Sequence, residues 1–279
     1  MEKYSVLMSV YYKEQPDFLR SSMESIFSQT EKTDDFILVC DGPLTKELDE
    51  VINEFEHKYD VLHVIRFEKN RGLGPALNDG IEACKNELIA RMDSDDIAPD
   101  YRCQHQIDAF RKDSELVILG GTVEEFEGNV NNIVSKKQMP TSDEEIKEYA
   151  KLRSPFNHPT VMYKKSAVQR VGGYPPLYLH EDYGLWVRLL SSGVKAANLS
   201  ETLCFMRVDS GLYSRRGGIK YLKAAVDFRV YLYKTGYNSF FKMLFGVLVV
   251  TVMCLVPTCV RKFIYGKFLR KKGVHNGFK

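Results

Sequence analysis

Leu88-Ile89-Ala90-Arg91-Met92-Asp93-Ser94-Asp95-Asp96 is a mostly apolar run that ends in three carboxylates within four residues. A short continuous run of this kind suits a strand buried on both faces, and the carboxylates then stand at its C-terminal end. Residues 5–10, 36–40, 61–67 and 116–123 are further runs of this kind, with β-branched character. Between them the period becomes helical. Leu48, Val51, Ile52 and Phe55 fall at i, i+3, i+4 and i+7, and Phe18, Met23, Ile26 and Phe27 make one stripe. Pro16 and Asp17 suit a helix start, and Ser142 with Glu145 reads as a capping box. Strand and helix in alternation predict right-handed crossovers and an open α/β sheet, which binds its ligands at the C-terminal ends of its strands. Past residue 125 the alternation loosens. Strands near 133–139 and 160–163 and helices near 143–152 and 181–190 are expected there, the last with Leu185, Trp186, Leu189 and Leu190 on one face.

The chain has 279 residues, 44% hydrophobic and 27% charged. That is enough for a large core and excludes disordered or low-complexity architectures. The net charge of +2 hides an asymmetry, because residues 240–279 carry eight Lys or Arg and no acidic group. The first 239 residues hold 31 of the 39 basic groups against all 37 acidic ones, a balance of −6. An acidic body argues against nucleic-acid binding. The six cysteines (40, 84, 103, 204, 254 and 259) are scattered, with no paired spacing. Reduced thiols in a cytosolic body are expected, the start of the chain has no signal-peptide pattern, and the Asn198-Leu199-Ser200 sequon is read as accidental.

The residues at the predicted strand ends carry the chemistry. Tyr11 and Tyr12 end the first strand, Asp41 follows the second, and Asp93, Asp95 and Asp96 close the fourth. Acidic loop clusters are ordinarily solvated and inert. This one lies where an open sheet binds its ligand, and crowded carboxylates of this kind suit Mg²⁺ or Mn²⁺ with phosphate completing the sphere. Arg71-Gly72-Leu73-Gly74-Pro75-Ala76-Leu77 imitates a dinucleotide fingerprint, with Asp93 21 residues beyond Gly72. The third glycine position is Leu77 and the first strand-to-helix turn has no glycine, so an NAD-dependent oxidoreductase is disfavoured.

The segments SVLMSVYYKE (5–14), VCDG (39–42), NRGLGPALNDGI (70–81), ARMDSDDIA (90–98), FNHPTVMYKK (156–165), GGY (172–174) and HEDYGLWVRL (180–189) occur in this order. Together they resemble the family 2 glycosyltransferases, inverting enzymes of the GT-A fold, over roughly residues 4–235. The likeness is greatest to bacterial exopolysaccharide, capsule and O-antigen enzymes, including galactosyltransferases of the amylovoran type, which carry something like RVDSGLYSRRGG (207–218). The resemblance implies a Rossmann-like open mixed sheet flanked by helices. Residues 1–125 would be its nucleotide-sugar half, 126–238 its acceptor half and 239–279 a membrane-associated tail. It implies Tyr11 and Asp41 on a uracil, with Arg71 on the base or a phosphate. Asp93 would serve ribose and metal, and Asp95 would ligate Mn²⁺ or Mg²⁺. Asp182 would be the general base and Glu181 would orient the acceptor. His158 would line the acceptor pocket, and Arg215 and Arg216 would clamp a diphosphate. Two positions depart from the family. Leu77 stands where many relatives carry Arg, and Asp209 stands about where many place a metal-binding His.

Residues 243–260 form an uncharged run of 18 residues, about 27 Å long as a helix against a hydrocarbon core of about 30 Å. Lys242 precedes it, and Arg261, Lys262, Lys267, Arg270, Lys271 and Lys272 follow. It either spans once or lies in the interface. A basic end kept cytosolic, on the same side as a body that consumes UDP-sugar, favours monotopic attachment at the cytoplasmic face of the bacterial inner membrane. The expected function is transfer of a hexose, galactose from UDP-galactose, to a lipid-diphosphate-linked oligosaccharide. A UDP-glucose or UDP-N-acetylhexosamine donor, and a non-catalytic nucleotide-sugar-binding partner, are the alternatives.

Overall fold

The chain builds strand and helix by turns through its first half: β1 (Tyr4–Val10), α1 (Pro16–Phe27), β2 (Asp35–Cys40), α2 (Lys46–Lys58), β3 (Leu62–Arg66), α3 (Leu73–Ala83), β4 (Leu88–Asp93) and α4 (Arg102–Lys112). This computed structural model describes residues 3–208, 218–256 and 271–272. The second half adds β5 (Leu116–Phe126), β6 (Ile133–Lys137), α5 (Asp143–Tyr149), a 3-10 turn (His158–Thr160), β7 (Met162–Lys164) and α6 (Lys165–Arg170). It closes with α7 (Glu181–Ser191), β8 (Lys195–Arg207), α8 (Ile219–Lys234), α9 (Phe240–Leu255) and β9 (Lys271–Lys272). The capping box forms as expected, with the Ser142 side chain on the Glu145 amide and the Glu145 side chain on the Ser142 amide.

The strands make one mixed sheet in the order β3-β2-β1-β4-β7-β5-β6-β9, with β8 also paired to β5. β1, β2, β3 and β4 are parallel, whereas β7 runs antiparallel to both β4 and β5. The chain steps outward from β1 to β3 and then returns to the other side of β1 with β4. The loops after β1 and β4 therefore part at the middle of the sheet and open a crevice, the usual ligand position of such folds.

Both faces of the sheet are covered, and the strand alternation sorts the core accordingly. Tyr4, Val6, Met8 and Val10 of β1 pack with α1, α2 and α4, while Leu7 packs with Ile37, Val39 and Ile89 beneath α3 and α7. This double burial is why the strands read as continuous apolar runs. Helix α9 is different, because it packs on α8 and leaves Phe241 80% and Leu255 75% exposed. Its 16 residues cover only part of the expected apolar run, and residues 257–270 lie outside the described chain. No helix among the described residues is long and apolar enough to cross a membrane.

Gly42, the residue after Asp41, shows how tightly the loops at the crevice are fitted. Its φ is 93°, and a Cβ there would lie 2.6 Å from the backbone nitrogen of Asn70. Gly42→Ala combines a left-handed backbone, worth about 1–2 kcal/mol, with a backbone collision. It is expected to destabilise the protein by about 2 kcal/mol or more in urea denaturation.

Candidate active site

The loops after β1, β2, β3 and β4 enclose a cavity of about 330 Å³ lined by Ser9, Tyr11, Glu14, Asp41, Asn70, Gly72, Leu73, Asp93, Ser94 and Asp95. Tyr11 is 43% exposed at its rim, edge-on to Tyr12 with ring centroids 5.8 Å apart. Asp41 is buried and already engaged. Its Oδ1 accepts the Arg71 amide at 2.7 Å, its Oδ2 accepts the Gly72 amide at 2.9 Å, and its carbonyl accepts the Asn70 side chain. Asp41 thus ties the loop after β3 to the end of β2, with lone pairs left on both oxygens. The Arg71 side chain points elsewhere: it pairs with Asp79 on α3 and lies 3.8 Å over the Phe67 ring.

Asp93 is the last residue of β4 and Asp95 follows in the turn, so both carboxylates reach the cavity from one short segment. Burial pushes Asp95 up to about 7, and the charges of Asp93 and Glu14 add to it. Asp96 turns inward. It is buried, accepts the Arg207 amide at 2.9 Å, faces Cys204, and burial holds its carboxyl well above the usual range. It fastens β8 to the carboxylate turn. Arg207 completes that fastening, donating to the Asp95 carbonyl at 3.1 Å while its guanidinium lies over Phe18 and Phe126. No three His, Cys, Asp or Glu side chains among the described residues are grouped to hold a metal by themselves. Asp93 and Asp95 nonetheless suit a hard divalent cation that takes its other ligands from a diphosphate, because such an ion relieves the repulsion that raises Asp95.

The second acidic pair arrives from far along the sequence. Glu181 and Asp182 open α7, after a turn in which Leu179 has a φ of 63°, strained for a side chain with a Cβ. His180 stacks on Phe228 of α8, which braces that turn from behind. The contact with the crevice runs through Gly74 in the first turn of α3, where a Cβ would meet Glu181 at 3.4 Å and Tyr174 at 3.7 Å. The start of α3, which lines the cavity, therefore lies beside Glu181, with room for an ordinary contact. Burial raises Glu181 to about 7, with Asp182 and Asp93 adding. Burial also raises Asp182, against the Tyr183 amide, Arg91 and Lys137. His158 sits behind, with Nε2 2.9 Å from the Tyr174 hydroxyl and its ring against Trp186. Burial and the Arg91 charge hold it well below the usual imidazole range, hence neutral.

The structure thus brings Tyr11, Asp41, Asp93 and Asp95 to one cavity, with Glu181 beside Gly74 in the helix whose start lines that cavity and Asp182 next to it on α7. Arg71 contributes its backbone but not its guanidinium, and His158 lies away from the cavity lining. Asp209, Arg215 and Arg216 lie outside the described residues. Two participants had gone unread. Glu14 lines the cavity and accepts a hydrogen bond from Ser94, and its only signal in the sequence was its place just after the first strand. Arg91 was hidden as the single charge in the apolar part of β4.

An open α/β sheet with acidic residues at the crevice ends of β2 and β4 fits the GT-A class of glycosyltransferases. Residues 5–172 match the family model described as Glycosyl transferase family 2, and the chain belongs to that family. It is 38% identical to the UDP-Gal:alpha-D-GlcNAc-diphosphoundecaprenol beta-1,3-galactosyltransferase of Escherichia coli, over 96% of this chain and 97% of that protein. It is 35% identical to the amylovoran biosynthesis glycosyltransferase AmsE of Erwinia amylovora, over 95% and 98%. Among solved structures, residues 1–349 of TarS from S. aureus share the fold, with a TM-score of 0.65 at 16% identity over 94% of this chain and 74% of that one.

The raised carboxylates have a consequence for stability. A carboxyl whose folded value lies above its unfolded value contributes stability below the unfolded value, about 4, and loses it as the pH rises through the folded one. Asp95→Asn is therefore expected to raise the Tm of chelator-treated protein at pH 8 by about 2–4 °C, the effect of about 1 kcal/mol in a domain of this size. The gain shrinks as the pH is lowered from 8 toward 4, which scanning calorimetry would follow.

Proposed function

We propose that this chain is an inverting, metal-dependent hexosyltransferase that moves galactose from UDP-galactose onto a lipid-diphosphate-linked oligosaccharide in bacterial surface polysaccharide synthesis. The observation that carries the reaction is the acidic pair, Glu181 and Asp182, set against the helix whose start lines the carboxylate cavity. The donor and the acceptor class are taken from the Escherichia coli relative, which matches nearly the whole chain. Residues 1–125 form the nucleotide-sugar half and 126–238 the acceptor half.

In this reading Tyr11 stacks on the uracil, and Asp41 offers a spare lone pair to the base N–H. Asp93 faces the ribose. Asp93 and Asp95 would hold Mn²⁺ or Mg²⁺, and the bound ion would supply Lewis-acid stabilisation of the departing UDP. The transfer is one displacement. The acceptor oxygen forms its bond to the anomeric carbon as the bond to the UDP oxygen breaks, and the hydroxyl proton passes to the Asp182 carboxylate. Positioning provides most of the gain, because a carboxylate is a weak base for an alcohol. Glu181 orients the acceptor, and His158, neutral, supports that pocket through Tyr174. Arg71 reaches the donor only by leaving Asp79. Roles for Arg215 and Arg216 on a diphosphate, and for Asp209 at the metal, rest on the sequence resemblance alone.

The same reading attaches the tail to the cytoplasmic face of the inner membrane, without a span. Phe240, Phe241, Leu244, Phe245, Leu248, Val249 and Val252 make one exposed stripe along α9, with alternating steps of one and three residues. Its opposite side carries Gly246 against Arg229 of α8. The stripe suits the headgroup boundary, and the basic residues after it suit anionic lipid.

The first test is calorimetric binding of UDP with and without Mn²⁺, followed by transfer from UDP-galactose, UDP-glucose and UDP-N-acetylglucosamine to a GlcNAc-diphospho-lipid. Tight, Mn²⁺-dependent binding that Asp95→Ala abolishes, with galactose preferred, is expected; metal-independent binding would remove the metal assignment. Asp182→Asn should lower kcat by about 10²–10⁴-fold. Because the base must be ionised and burial raises it, wild-type kcat/KM should fall on the acid side, at a higher pH than an ordinary aspartate would give. Full-length protein should also sediment with phosphatidylglycerol-containing vesicles, whereas the Phe241→Ser, Phe245→Ser, Leu248→Ser triple variant should stay in the supernatant.

A further inference from the structure

Arg91 is a buried cation in the middle of the sheet. It lies two residues before Asp93 on β4, so both side chains leave the same face of the strand. It is 1% exposed, and one Nη donates to Asp93 Oδ1. Its Nε and its other Nη have no hydrogen-bond partner among the described residues. Burying a guanidinium so incompletely paired is costly, and apolar side chains of similar volume commonly serve stability as well or better. A purely structural reason for this residue is therefore weak.

Its neighbours give another reason. Beyond its hydrogen bond to Asp93, its charge acts on Asp95 and Asp96 on the donor side and on Glu181 and Asp182 on the acceptor side, in each case favouring the ionised carboxylate. Tyr174, which holds His158, lies within the same field. The strand under Arg91 is itself fixed. Arg102, buried on the other face, donates Nη2 to the Arg91 carbonyl at 2.7 Å and Nε to Gln106.

We propose that Arg91 is a positioning residue shared by the two halves of the active site, bracing Asp93 on the donor side and supplying a fixed positive charge to Glu181 and Asp182 on the acceptor side. This rests on Asp182 as the proton acceptor. The groups that bear on Asp182 are Arg91 and Asp93 from β4, Lys137 from β6, Tyr174 from the loop before α7, and Glu181 beside it on α7. Removing Arg91 leaves Lys137 as the cation among them.

The test uses the full chain and two readouts. In thermal melts at pH 8, Arg91→Met should lower the Tm, and adding either Asp93→Asn or Asp182→Asn should recover part of the loss by removing an unmatched charge. Recovery with Asp93→Asn alone would confine Arg91 to the donor side and overturn the shared role. In transfer assays the acid limb of kcat/KM should move up by about one pH unit in Arg91→Met. In Arg91→Lys, which keeps the charge but not the fork, the limb should stay near wild type while kcat falls. A limb that does not move in Arg91→Met, with kcat merely lowered, would overturn the proposal. If Arg91→Met does not fold, Arg91→Gln, which removes the charge but keeps a polar side chain, takes its place with and without Asp182→Asn. The melting effects of Arg91→Gln and Asp182→Asn should then be non-additive, and strict additivity would overturn the coupling. If the wild type transfers no sugar at all, the functional reading fails, while the melts still decide whether Arg91 couples the two sides.

Discussion

The molecule is organised around carboxylates held closer together than water would leave them. Asp93, Asp95, Asp96 and Glu14 crowd the end of β4, and the repulsion is tolerated because the backbone beneath them cannot relax. β4 lies between β1 and β7, Arg207 grips the Asp95 carbonyl from β8, and Asp96 is tied to the Arg207 amide. Such crowding is electrostatic repulsion that a bound cation can relieve. In the proposed function, that is the physical sense in which the free protein would be prepared for a cation and a nucleotide diphosphate.

The same restraint operates at the other strand ends by different means. Asp41 spends hydrogen bonds on two backbone amides to fix the loop that carries Asn70 and Gly72, and Gly42 makes room for it. At the far side, the strained Leu179 and the stack of His180 on Phe228 set the turn that opens α7, and Glu181 comes to lie beside Gly74 of α3. Local rules are broken at these points, through positive φ, buried like charge and an incompletely paired guanidinium. Such departures concentrate at functional sites because the surrounding core over-determines them.

Much of this was legible in the chain because it is local. A doubly buried strand announces itself as an apolar run, and a residue just past its end has a known place at the crevice, so Asp41, Asp93 and Asp95 were readable in position. Glu14 was not, since a single acid in a loop has no period. β8 was not either, because Asn198, Ser200, Glu201 and Thr202 interrupt its apolar residues and hide the pattern. Arg71 misled in detail. Its neighbourhood was right, but a long side chain chooses among partners that sequence does not rank, and Asp79 and Phe67 hold it here.

By itself, the sequence determined the alternation of strand and helix, the acidic strand ends, the ordered motifs of the family and the basic, apolar tail, because each is written in neighbouring residues. Only the tertiary structure decided that Glu181 lies beside Gly74 at the start of α3, and that Asp96 serves β8 while Asp95 faces the cavity. Those relations join residues on different elements, several of them about a hundred positions apart. They exist only once close packing has chosen which faces touch.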